Sequence, residues 1–195
     1  MLLDRMFRAA MLDPLVFDEI KEDRESMTQA VQVILIVFAI GIVSTIVQTV
    51  NAPTDTGTQT DLSTNIATSG ATAILGWLLW SFLAYLLGTG VFNGTATYLE
   101  MLRAIAFAQS PSVITILSVP LVFVPAAGVI LGGLLGLAAA LWVLIVNVIA
   151  TRQTLGITTG KATIITVIVT IVMIVITLSI TYVLFPENFQ LDSVQ

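Results

Sequence analysis

The side chains most used for chemistry are missing from this sequence. It has no cysteine and no histidine. Disulfides and thiolate or imidazole metal sites are therefore excluded, along with the commonest activated nucleophile and the commonest acid–base group. What remains is a small set of carboxylates, cations and amides. Glu100 and Arg103 stand three apart on a segment of helical pattern, and a surface ion pair is the expected outcome. Gln32, Gln109 and Asn147 are amides in or beside apolar runs, expected with Glu100 and Arg103 near the cytoplasmic boundary, either as a polar vestibule or docking surface or, the expectation here, as groups that make interhelical hydrogen bonds and headgroup contacts. Asp55 and Asp61 read as isolated loop carboxylates, and Gly160–Lys161 lacks the Gly-rich approach of a phosphate loop. No Asp, Glu, Lys or Arg falls in the middle of an apolar run, where a proton relay or coupled transporter needs one. The expectation is a non-enzyme with no catalytic, cofactor-binding or metal site.

The elements that must position these groups follow from composition. Of the 195 residues, 57% are hydrophobic and 10% charged, with mean hydropathy +1.02. A soluble domain carries about 25% charged residues. The deficit is explained if lipid is the main solvent, and the fold class expected is an all-α polytopic membrane protein with five transmembrane helices. The spans are placed at about residues 28–50, 68–88, 102–124, 126–150 and 162–185. The first, Thr28–Val50, has no charge and at 1.5 Å per residue covers about 34 Å, enough for a hydrocarbon core of about 30 Å. The third is expected to kink at Pro111 and to run short on its far side. Thr97-Tyr98-Leu99-Glu100 has the form of a capping box and starts the helix that leads into it.

Residues 1–27 form an amphipathic segment rather than a signal peptide, because mixed charge precedes any apolar core. Leu2, Leu3, Met6, Phe7, Ala10 and Met11 recur at helical spacing, which predicts a short helix lying on the membrane surface. Asp13-Pro14 is a start signal for a second helix that turns Phe17 and Ile20 toward the membrane or the bundle. The basic residues set the orientation. Arg5, Arg8, Lys21, Arg24, Arg103, Arg152 and Lys161 all fall on one side if there are five spans. Lys and Arg favour the cytoplasmic face, so the N-terminus is expected inside and the C-terminal tail, 186–195, outside the cell membrane. Gly128, Gly132 and Gly136 share one face of the fourth helix, either as a homo-oligomer seam or, the expectation here, as close packing within the bundle. Trp77 and Trp80 are candidates for binding a lipid or ligand, with lipid-facing packing expected of Trp77.

Three features together are similar to a known family. They are "MLDPLVFDEIKED" before the first span, "FNGTATYLEMLRAIAFAQSP" (Phe92–Pro111) entering the third, and the five-span layout. The chain resembles the Yip family, the Ypt/Rab-GTPase-interacting membrane proteins, in its prokaryotic branch. The resemblance implies a non-enzymatic membrane scaffold, assembly or trafficking protein that binds partners, other copies of itself or both. The family's acidic-Leu-Tyr-Gly-Pro motif is absent, its nearest counterpart being Asp13-Pro14, and only 27 residues precede the first span, which argues against GTPase binding. No basic cluster points to nucleic acid. The alternative is a pore, facilitator or lipid-handling protein, with the bilayer as the partner common to both readings.

Overall fold

The computed structural model describes residues 1–51, 62–124 and 127–184. Asp55, Asp61 and the tail from Pro186 lie outside the described residues. Described residues form α1 (Leu2–Ala10), α2 (Leu15–Glu22), α3 (Ser26–Asn51), α4 (Leu62–Gly90), α5 (Tyr98–Ala108), two 3-10 segments (Ser110–Ser118 and Pro120–Phe123), α6 (Ala127–Leu155) and α7 (Thr159–Leu184), with no strand among them. Five stretches are long and apolar enough to cross a membrane: Ser26–Ser44, Gly70–Gly90, Tyr98–Ser118, Ile130–Leu155 and Thr159–Val183. The all-α, five-span class is therefore the class observed.

The bundle is organised around α5. Every residue from Met101 to Ala108 is buried, and α5 touches α1, α2, α3, α4 and α6. Ala104, Ala106 and Ala108 let three long helices approach its backbone at once. The capping box read from the sequence is formed. Thr97 Oγ1 accepts from the Glu100 N–H at 3.3 Å, and the Glu100 carboxylate accepts from the Thr97 N–H at 2.9 Å. Just before it the chain reverses at Asn93-Gly94. Asn93 has φ +58°, and the Gly94 N–H donates to the Gly88 carbonyl at 2.8 Å. A Cβ on Gly94 would stand 2.7 Å from a Leu155 methyl, so the tight return needs glycine there.

The third span departs from a kinked α-helix. The α-helical ladder stops at Ala108 and does not resume after Pro111; Ser110–Ser118 continues as a 3-10 helix. Pro111 cannot donate to the Phe107 carbonyl, and the Ser110 hydroxyl takes that acceptor instead at 2.6 Å. Thr115 and Ser118 repeat the pattern, donating to the carbonyls of Ser112 and Thr115, both at 2.7 Å. The 3-10 form is longer per residue. Eleven α residues and nine 3-10 residues add up to about 34 Å, against about 30 Å for an all-α segment of that length. That length suffices to cross a hydrocarbon core.

The N-terminal helices are part of the packing. Met6, Ala9, Val16, Phe17 and Ile20 are buried. Helix α1 lies against α5 and the first 3-10 segment, and α2 against α5 and α6. The amphipathic face expected of residues 1–12 thus divides in two. Met6 and Ala9 point into the bundle, while Leu3, Phe7 and Met11 are exposed. Phe17 and Ile20 take the bundle side of the two options left open by the sequence.

Candidate functional site

Polar chemistry concentrates where α1 and α2 fold back on α5 and α6. Arg103 is the centre of it. Its position on α5 is inside the packed core and only 6% exposed. Nη1 donates to the Asp23 carbonyl at 2.9 Å and Nη2 to the Lys21 carbonyl at 3.0 Å. Those carbonyls close α2, whose C-terminal end carries partial negative charge and unpaired acceptors. One planar guanidinium therefore caps α2 and fastens it to α5. The Ser26 hydroxyl adds a second fastening, donating to the Asp23 carbonyl at 2.6 Å and the Ile20 carbonyl at 3.0 Å. The expected Glu100–Arg103 ion pair does not form. Glu100 is committed to the capping box, and Arg103 turns to backbone because burial demands acceptors that α2 supplies.

The charges of α1 are used up locally. Arg8 meets Asp13 at 2.8 Å, Glu19 at 2.8 Å and Asp4 at 4.0 Å, and Arg5 meets Asp23 at 2.8 Å. Arg5 also donates to Gln29 at 3.0 Å. The Arg8 guanidinium, by hydrogen bonding, holds the Asp13 and Glu19 carboxyls below their ordinary range, and Arg5 does the same for Asp23. Glu19 and Asp13, by the same hydrogen bonds, in turn raise Arg8. Two further contacts tie the hairpin to α6. Trp142 Nε1 donates to the Ala10 carbonyl at 2.8 Å, and Gln153 Nε2 reaches Asp18 Oδ2 at 3.3 Å and the Pro14 carbonyl at 3.4 Å. Sequence reasoning passed over Trp142 and Gln153. The available signal was physical: an indole N–H within an apolar run must find an acceptor.

The remaining singled-out residues do not meet at one vestibule. Gln32 is exposed on α3. Asn147 is buried on α6, and its Oδ1 has no partner among the described residues; the same holds for the Thr151 and Thr154 hydroxyls on the same face. Thr166 and Thr170 of α7 carry equally unpartnered hydroxyls. Gly128 packs directly against the Leu121 carbonyl, Gly132 lies at contact distance from Ser118, and Gly136 faces open space. The near end of the glycine row thus serves closure of the bundle onto the 3-10 segments. Trp77 does not simply face lipid; its Nε1 donates to the Leu102 carbonyl at 2.9 Å and its ring packs against the core.

Gln109 lies on the wall of a half-enclosed cavity of about 250 Å³ between α3, α4, α7 and the end of α5. Phe38, Trp77, Trp80 and Met173 are its large apolar lining residues. A second cavity, about 240 Å³, lies between α6 and α7 and is almost wholly apolar.

The fold and these contacts account for the segments that carried the resemblance. Asp13-Pro14 opens α2, Phe17 and Ile20 fill the core, Asn93-Gly94 makes the return, and Arg103 closes α2. No curated protein and no solved structure matches the chain. The family model of the Yip1 domain matches residues 9–180, which takes in α2 through most of α7, so the chain belongs to the Yip family and is an integral membrane protein of that type.

Proposed function

We propose that this protein is a non-catalytic membrane scaffold that binds a protein partner, or a second copy of itself, through the N-terminal hairpin on the cytoplasmic side. The supporting observation is the two-sided character of that hairpin. Its inner face is fastened by Arg103, Ser26 and Trp142. Its outer face presents Leu3, Phe7 and Met11 at i, i+4 spacing along α1 and its C-cap, and Leu15 at the start of α2, all exposed. The charged side chains of α1 are paired within the hairpin, with one another and with Asp13, Glu19 and Asp23, which leaves an apolar strip framed by neutralised charge. Such a surface on a rigid support favours association over chemistry. The positive-inside count supports placing it in the cytoplasm, with the far ends of α3, α4, α6 and α7 outside.

A photo-crosslinking residue at position 7, in protein expressed in its own membrane, tests the reading. A single stoichiometric protein adduct, or a covalent dimer, is expected. That adduct should disappear when Leu3 and Met11 are both changed to Asp while the protein stays monodisperse in detergent. Crosslinks to lipid alone would overturn the proposal.

A further inference from the structure

The cavity walled by Phe38, Trp77, Trp80 and Gln109 lies deep in the bundle. Along α3 its lining starts eight residues from Ser26, along α4 ten residues from Gly90, and along α7 it is reached fourteen residues from Thr159. At 1.5 Å per residue these positions stand roughly 12–21 Å from that end of the helices, the middle of a core about 30 Å thick. At such depth water is scarce, and a polar group without a partner is costly. Two groups on this wall are in that position. The Gln109 side-chain amide and the Trp80 indole N–H make no hydrogen bond among the described residues, and both belong to half-buried residues on the cavity wall, where they keep accessible surface, unlike the enclosed Asn147 Oδ1. By contrast, neighbouring Trp77 is satisfied by the Leu102 carbonyl. Of the residues that line it, Thr72 and Ala73 on α4 are exposed, so the cavity is open to the surface of the bundle on that side.

These features define an occupant by exclusion. Among the described residues no Asp, Glu, Lys or Arg lines the cavity, so a charged headgroup finds no counter-ion there. A plain acyl chain would fill the space but leave both donors unpaired. Three aromatic rings suit a flat, conjugated ring, and two N–H donors suit a carbonyl oxygen on it. The volume is below the range for a whole drug-sized ligand, so a ring fits inside while a tail leaves through the opening into the bilayer. We infer that this cavity is a binding site for a neutral ring-carbonyl lipid of the quinone class, held by stacking and by hydrogen bonds from Gln109 and Trp80. The site is separate from the hairpin surface and does not depend on that surface binding a partner.

The test uses the full-length protein in detergent, titrated with a short-tailed alkyl benzoquinone while tryptophan emission is followed. The matched alkylbenzene, with no carbonyl, serves as the comparison. Saturable quenching by the quinone is expected, with an apparent affinity at least about tenfold above that of the alkylbenzene in competition. Gln109→Leu and Trp80→Phe should each weaken it by roughly tenfold, the scale of one lost hydrogen bond in a water-poor site. Trp80→Phe keeps a ring in place, so it remains informative if Gln109→Leu fails to fold. Linear, unsaturable quenching would overturn the proposal. So would equal competition by the alkylbenzene, which marks a crevice for acyl chains, or affinity unchanged in both variants.

Discussion

Arg103 shows how burial reassigns a side chain. Three residues from Glu100 it has the spacing of a surface ion pair, yet its guanidinium spans two carbonyls at the end of α2. Arg103→Met should therefore loosen the N-terminal hairpin, with a stability loss of about 3–6 kcal/mol from two charge-assisted hydrogen bonds. Trypsin cleavage at the exposed Arg24 should accelerate in step with a lower thermal midpoint in detergent. Arg103→Lys should recover only part of the loss, since an ammonium does not match two carbonyls as a planar fork does. Glu100→Gln, in contrast, keeps a capping-box acceptor and should move the midpoint little. Asn147 makes the opposite case. Its buried Oδ1 lacks a partner among the described residues, so Asn147→Leu should leave the midpoint unchanged or raised slightly. A marked drop would show that a water or a second chain bonds the amide.

At the scale of elements, the N-terminal hairpin combines one apolar anchor with a set of paired charges. Phe17 is completely buried, and Phe17→Ala should cost about 3–5 kcal/mol, with α2 the first element to open in hydrogen exchange. The ion pairs predict an acid-dependent release. Asp13, Glu19 and Asp23 are held below their ordinary values of 3.8, 4.5 and 3.8. The folded state thus binds protons less readily than the unfolded one, and the stabilisation is complete above those ordinary values. It fades as pH falls through the lower folded values. Arg8, shifted upward, stays charged throughout that range. Emission from Trp142, in a variant with Trp77 and Trp80 replaced by Phe, should hold steady at neutral and mildly acidic pH and change only in strong acid. A midpoint near neutrality would refute the pairing. The fourth span offers a contrast within one helix. Gly128→Ala should destabilise by about 1–3 kcal/mol because its Cβ meets the Leu121 carbonyl. Gly136→Leu faces open space and should fold normally; lost self-association in that variant alone would place an oligomer seam there.

For the whole molecule, the orientation carries the clearest test. A reporter fused after Gln195 should be extracytoplasmic and one inserted near Gly156 cytoplasmic. Reversal of either would dismantle the five-span topology. The sequence by itself determined the class of solvent, the number of spans, and the starts of α2 and α5. Those properties are local or additive: hydropathy sums along the chain, and a capping box needs only four neighbouring residues. Only tertiary structure decided what α1 and α2 rest on, which carbonyls Arg103 serves, and where Gln109 and Trp80 come to line one cavity. Each of these depends on groups far apart in the chain, up to 82 residues between Lys21 and Arg103 and 132 between Ala10 and Trp142. No periodicity encodes such a pairing. It arises because a buried donor must find an acceptor, and the nearest one is supplied by whichever helix packs beside it.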